Sequence, residues 1–277
     1  MLTPDLRIQP SIKLITLSLI FLITSTIASS VVKAAEKTDQ ASERQETTLN
    51  ERNIEPEADK ILKGMGDFLK NQKEFSVNAD VTFDLVEPTG EKIQYSATNS
   101  FVIHRPDKIY AQTVGDIGEK KFWYDGKGIT LLDVDKNVYA QEKAPADIDS
   151  TLDHLMEDYG FSLPLADFVF SDPYSDLIEN VEDGYYVGLH NVRGMKCNHL
   201  AFVQDNLDWQ LWVNQGREPV PCKIVITYKD VPGLPQYTAV LTDWNFGIKE
   251  PDSKFEAGSL EGAEKIEFLK IKKQTKK

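Results

Sequence analysis

What this chain lacks narrows its chemistry before anything it contains is considered. Its four histidines, His104, His154, His190 and His199, form neither a His-x-x-x-His nor a His-Glu-x-x-His pair, so a zinc hydrolase has no ligand set. No Gly-x-Ser-x-Gly elbow, no Gly-x-x-x-x-Gly-Lys loop and no Gly-x-Gly-x-x-Gly turn is present. An enzyme is therefore not expected, nor any cofactor or metal. Positive charge is also scarce, with 31 Lys and Arg against 44 Asp and Glu, and a surface of net charge −13 repels nucleic acid and anionic membranes. After residue 34 no apolar run is long enough to span a bilayer, which needs about 20 residues.

The start of the chain differs from the rest. Arg7 and Lys13 precede an apolar stretch over 14–27, and Val32-Lys33-Ala34 offers small residues at a cleavage position. Residues 1–34 thus read as a secretory signal peptide and the mature protein as exported and periplasmic. The alternative, an uncleaved anchor, is disfavoured by the shortness of the stretch. No cysteine follows that stretch to accept a lipid. Cleavage would remove the basic Arg7, Lys13 and Lys33 against the single acid Asp5, taking the formal charge from −13 to −15. Only the end of the chain is basic, with six lysines in "KIEFLKIKKQTKK". That stretch, whose part beyond the domain is 270–277, is either a solvated end or a contact for an anionic lipid or partner.

Residues 35–55 are polar without periodicity and read as a flexible leader. A single domain is expected over 56–269, and with 41% apolar and 10% aromatic residues the chain has enough material for a sizeable core. Pro56 opens an amphipathic helix carrying Ala58, Ile61, Leu62, Met65, Phe68 and Leu69. From Phe75 the period becomes two, with Val77, Ala79, Val81, Phe83 and Leu85 on one side. Further strands follow over 95–104, 108–114, 120–124, 128–133 and 137–141, with Asp125-Gly126 as the strongest hairpin signal. Helical spacing returns between 146 and 181. Ile148, Leu152, Leu155, Met156 and Tyr159 form one stripe closed by Gly160, and Asp172-Pro173 begins another short helix. Strands resume over 185–189, 196–204, 208–214, 222–229 and 238–246.

The stretch "DWQLWV" poses its own question, since two tryptophans three apart nearly share a helix face but cannot share a strand face. On the strand reading Trp209, Leu211 and Val213 face an apolar side, while Trp212 lies with Gln210 and Asn214 on a polar one. One dry and one wet face imply an antiparallel sheet with the helices over the dry face. The same reading puts Cys197 and Cys222 two strands apart, about 10 Å, too far for a disulfide even in an oxidising compartment.

Arg105 breaks the local pattern. It shares parity with Phe101 and Ile103, so either it swings out to water at the strand end or its donors hold backbone carbonyls or acids of the covering helices. "DVDKN" at 133–137 reads as a hairpin turn rather than a calcium loop, and "DHLMED" at 153–158 as a solvated helix surface.

"FWYDGKGITLLDVDKNVYA", "LPLADFVFSDPY", "HLAFVQDNLDWQLWV" and "KIVITYKDVPGLPQYTAVLTDWN" resemble the predicted periplasmic proteins of domain of unknown function 2092 (DUF2092), over nearly all of 57–269. More distantly, "FVIHRPDKIYA" followed by "YDGKGITLLD" resembles the lipoprotein-carrier fold of LolA and LolB, shared with mycobacterial lipid-binding lipoproteins and the sensor RseB. That resemblance implies an α+β fold: a single, strongly curved, unclosed antiparallel sheet whose concave face is covered by helices around an apolar cavity for acyl chains. In the carrier the Arg of the Arg-Pro motif holds the helical lid, a role that would fall to Arg105.

The function expected is therefore non-enzymatic binding of an apolar ligand, a lipid or acylated protein. Phe101, Ile103, Arg105, Trp123, Trp209 and Leu211 are the candidate ligand-binding residues, with Arg105 as latch. The alternative is an envelope interaction or sensor module with a fully packed core, its partner docking on surface such as Trp212. Sequence alone does not separate a cavity wall from an ordinary core.

Overall fold

The computed structural model describes residues 52–271. The signal-peptide reading of 1–34 lies outside the described residues, as do 35–51 of the leader and 272–277 of the basic tail.

One mostly antiparallel sheet of 13 strands organises the described chain. Its strands are β1 (Asn53–Ile54), β2 (Glu74–Val86), β3 (Lys92–His104), β4 (Lys108–Gly115), β5 (Gly118–Tyr124), β6 (Gly128–Asp133), β7 (Val138–Lys143), β8 (Asp183–Val192), β9 (Met195–Val203), β10 (Leu207–Asn214), β11 (Pro221–Tyr228), β12 (Gln236–Asn245) and β13 (Glu264–Ile266). They lie in the order β1-β8-β9-β10-β11-β12-β2-β3-β4-β5-β6-β7-β13, so the sheet is unclosed, as expected. The inner strands are joined mostly by meander connections, while the two edges are short parallel additions. β1 pairs with β8 and β13 with β7. The leader expected up to residue 55 thus ends in order: the backbone of Asn53 and Glu55 bonds to Glu182 and Gly184.

Three α-helices lie on one face: α1 (Pro56–Lys70), α2 (Ile148–Tyr159) and α3 (Pro173–Ile178). Their ends follow the sequence signals. Pro56 and Pro173 occupy first-turn positions, Asp147 and Asp172 accept the amide N–H of Ser150 and Ser175, and Gly160 closes α2 at φ 68°. None of these helices is long and apolar enough to cross a membrane.

The covering is divided. α1 and α3 place Leu62, Met65, Leu69, Leu177 and Ile178 against β2 and β8–β12, meeting Val81, Phe202, Trp209, Leu211 and Tyr237. α2 and the segment after it place Leu152, Leu155, Tyr159 and Phe170 against β3–β6, meeting Ile103, Ile109, Phe122 and Leu131. The β3 residue Phe101 touches both groups.

Two expectations about the opposite face are corrected. Cys197 and Cys222 form a disulfide, with Cα atoms 7.0 Å apart rather than the two-strand spacing of a flat sheet. β10 pairs with β11 through a bulge between Trp212 and Val213, in which Cys222 is the extra residue. A bulge bends its strand and sharpens the local twist, and here it accompanies the closer approach of β11 to β9. Nor is Trp212 simply wet. With Val192 and Val240 it packs on the disulfide, its ring stacked on His199 at 3.9 Å and 11° and the Lys223 Nζ 4.6 Å from its centroid.

Candidate functional site

Beneath α2 and the segment after it lies a cavity of about 100 Å³. Its sheet wall comes from β3, β4 and β5 through Phe101, Ile103, Ile109, Ala111 and Phe122, with Tyr237 of β12 at one side. Leu152 and Leu155 of α2 form the roof, and residues 161–166 with Val169 form the remaining wall. These walls follow directly from period-two strands facing a period-3.6 helix, each presenting its apolar stripe.

Arg105 stands at the junction of the two covers. It follows β3, is joined to Pro106 by a cis peptide bond, and donates its amide N–H to Lys73 O. One terminal nitrogen, Nη1, donates to Leu69 O (3.0 Å) and Gln72 O (3.1 Å) at the end of α1. The other, Nη2, donates to Val169 O (2.8 Å) and Phe170 O (2.7 Å) in the segment between α2 and α3. Nε has no partner among the described residues, and the guanidinium lies 5.5 Å from the Phe75 ring. Burial pulls its pKa down, while the Asp149 carboxylate pulls it up. The planar fork of Arg is what lets one side chain bridge two separate backbone segments. Asp149 also fixes the same region by accepting the Ser171 N–H at 2.9 Å.

The cover is acidic. Burial pushes the carboxyl of Asp167 up to about 6, with Asp176 adding to the effect. Asp176 is likewise held at about 6 by burial, then by Asp149, Asp172, Asp153 and Glu179. Lys70 of α1 reaches across to Asp172 at 2.6 Å, a second link between the covers.

Of the residues singled out from sequence, the structure brings Phe101 and Ile103 to the cavity and Arg105 to its bolting point. Trp209 and Leu211 are inward but belong to the packed core under α1 and α3, where Trp209 stacks on Phe202 at 4.2 Å. Trp123 is on the other face. Phe122 and Tyr124 point inward, opposite Leu131 and Ile129, which leaves Trp123 outside against Tyr110 at 5.9 Å. The hairpin carried this signal: a turn at 125–128 sets Tyr124 opposite Ile129, and Phe122 then shares the inner parity. The 133–137 turn and the α2 surface are as read, Asp133 accepting the Lys136 N–H and His154 lying 3.2 Å from Asp158.

A family model described as a predicted periplasmic protein (DUF2092) matches residues 58–269. No curated protein matches the sequence. Among solved structures, the lipoprotein LppX of Mycobacterium tuberculosis is similar at 11% identity and TM-score 0.44, over 70% of this chain and 98% of that one. LprF of Mycobacterium bovis is similar at 12% identity and TM-score 0.42, over 71% and 97%. The Pseudomonas aeruginosa MucA/MucB complex is similar at 15% identity and TM-score 0.38, over 74% and 62%.

Proposed function

The chain belongs to the DUF2092 family of predicted periplasmic proteins, and from that premise we propose that it is a non-enzymatic binding protein for an apolar ligand, a lipid or the acyl part of an acylated protein. The ligand is held between the sheet and the cover of α2, α3 and the segment joining them. The observation that carries this reading is the apolar cavity beneath the α2 part of the cover, the part that Arg105 fastens to the end of α1. A fully packed interaction module has no need of a void there, and close packing is the rule in protein interiors.

At about 100 Å³ the cavity is below the ~150 Å³ that admits benzene and well below the ~300–1,000 Å³ of an ordinary ligand pocket. The described cavity therefore has no room for a chain of several carbons. Taking up a chain of several carbons requires the cover to lift, which means releasing the Arg105 bonds. Breaking such a charge-assisted set costs about 3–5 kcal/mol net. At about 0.8 kcal/mol per buried methylene, four to six methylenes offset it. Sequestration and release of short stretches of chain is thus energetically balanced, and no covalent step is needed.

Native mass spectrometry of protein purified from its own periplasm tests the reading. Co-purifying apolar mass that an added apolar probe displaces is the expected result. A clean apo mass together with no uptake of the probe N-phenyl-1-naphthylamine would refute it.

A further inference from the structure

The sheet wall of the cavity is not uniformly apolar. Asn99 lines it with its side chain almost wholly buried (3% exposed), and its Oδ1 has no hydrogen-bond partner among the described residues. Its cross-strand neighbour on β4 is Thr113, which also lines the cavity. The row continues inward-facing across the next two strands with Lys120 and then Asp133. Their charges are paired: Lys120 Nζ lies 3.6 Å from Asp133 Oδ2 and donates to Ile117 O, and Lys136 Nζ approaches the same Oδ2 at 3.1 Å, so the row ends in an ion-paired cluster. A buried acceptor with no donor is costly, and such groups in folded proteins call for an explanation.

Resting on the binding reading above, we propose that Asn99 is a specificity-determining residue that selects an apolar chain bearing an uncharged hydrogen-bond donor, an amide N–H or a hydroxyl. The chain runs along Phe101 and Ile109 under Leu152, and its first polar group meets the Asn99 carboxamide at the polar end. A donor satisfies Oδ1. A carboxylate supplies none at neutral pH and brings a charge to a row whose inward-facing Lys120 is already paired with Asp133. A bare hydrocarbon leaves the acceptor as it is.

The test uses the full chain, stripped of lipid, and displacement of N-phenyl-1-naphthylamine by octane, 1-octanol, octanamide and octanoate at pH 7. In the wild-type protein octanamide is expected to displace more strongly than octanoate. In Asn99→Leu, octanamide and 1-octanol should weaken about tenfold relative to octane, the loss of one buried hydrogen bond. If the amide-to-octane ratio is the same in wild type and variant while all probes compete, the selectivity inference is wrong and the binding reading stands. If no probe, octane included, competes, both fall. Should Asn99→Leu fail to fold, Asn99→Ser, which withdraws the acceptor from the cavity wall, is read by the same ratio.

Discussion

Replacing Arg105 by leucine removes four charge-assisted hydrogen bonds at once, to the carbonyls of Leu69, Gln72, Val169 and Phe170, of which Leu69 O keeps the Gln72 N–H. Bonds to a charged group contribute about 1.5–3 kcal/mol each, so the gross loss is about 6–12 kcal/mol. Against it stands the desolvation of the guanidinium, the main cause of its lowered pKa, which leucine does not suffer. The four carbonyls are also only part-buried, so water replaces some of the bonds. A net destabilisation of about 3 kcal/mol follows, equivalent to about 6–12 °C in Tm for a domain of this size. Urea melts give the global value, and amide exchange shows where it falls. Protection should drop first in α2, α3 and the segment between them, while β9–β11, distant from Arg105, keep theirs. Arg105→Lys should recover little, because one ammonium cannot serve two backbone segments as the fork does. A midpoint change below about 0.5 kcal/mol, or uniform loss of protection across sheet and cover, would show that Arg105 does not hold the covers together.

Other consequences can be measured independently. The disulfide closes 25 residues, so Cys197→Ser with Cys222→Ser should lower unfolding free energy by about 3.5 kcal/mol in urea titration, and added reductant should reproduce the loss in wild type alone. Asp176 is held at about 6, above its ordinary 3.8, so the folded state binds its proton more tightly than the unfolded one. Its contribution is greatest below pH 4 and declines as pH rises towards 6, and at pH 7 the ionised group opposes folding. Asp176→Asn should therefore stabilise by about 1 kcal/mol at pH 7, the figure allowing for its partial solvent contact, and give no gain at pH 4. Equal gains at both pH values would refute the assignment.

The legible parts of this fold are those with a local cause. Pro56, Gly160 and the Asp172-Pro173 pair mark helix ends through backbone geometry and capping, and the structure uses each of them in that way. Asn99 could also have been noticed, since it shares parity with Phe101 and Ile103 and is therefore a polar group on an apolar face. Trp123 was misplaced because "KFWY" offers large side chains at both parities, and only strand pairing chooses between them.

By itself, then, the sequence determined the strands and most of the helix pattern, the single dry face and the separation of Trp209 from Trp212, because period and parity are properties of neighbouring residues. Tertiary structure alone decided that Cys197 reaches Cys222, that Trp212 is sheltered by His199 and Lys223, and that Phe101 borders a void while Trp209 does not. A disulfide across three strands depends on how the sheet bends. A cavity depends on how closely a separately packed cover meets the sheet, and no residue's local pattern contains that distance.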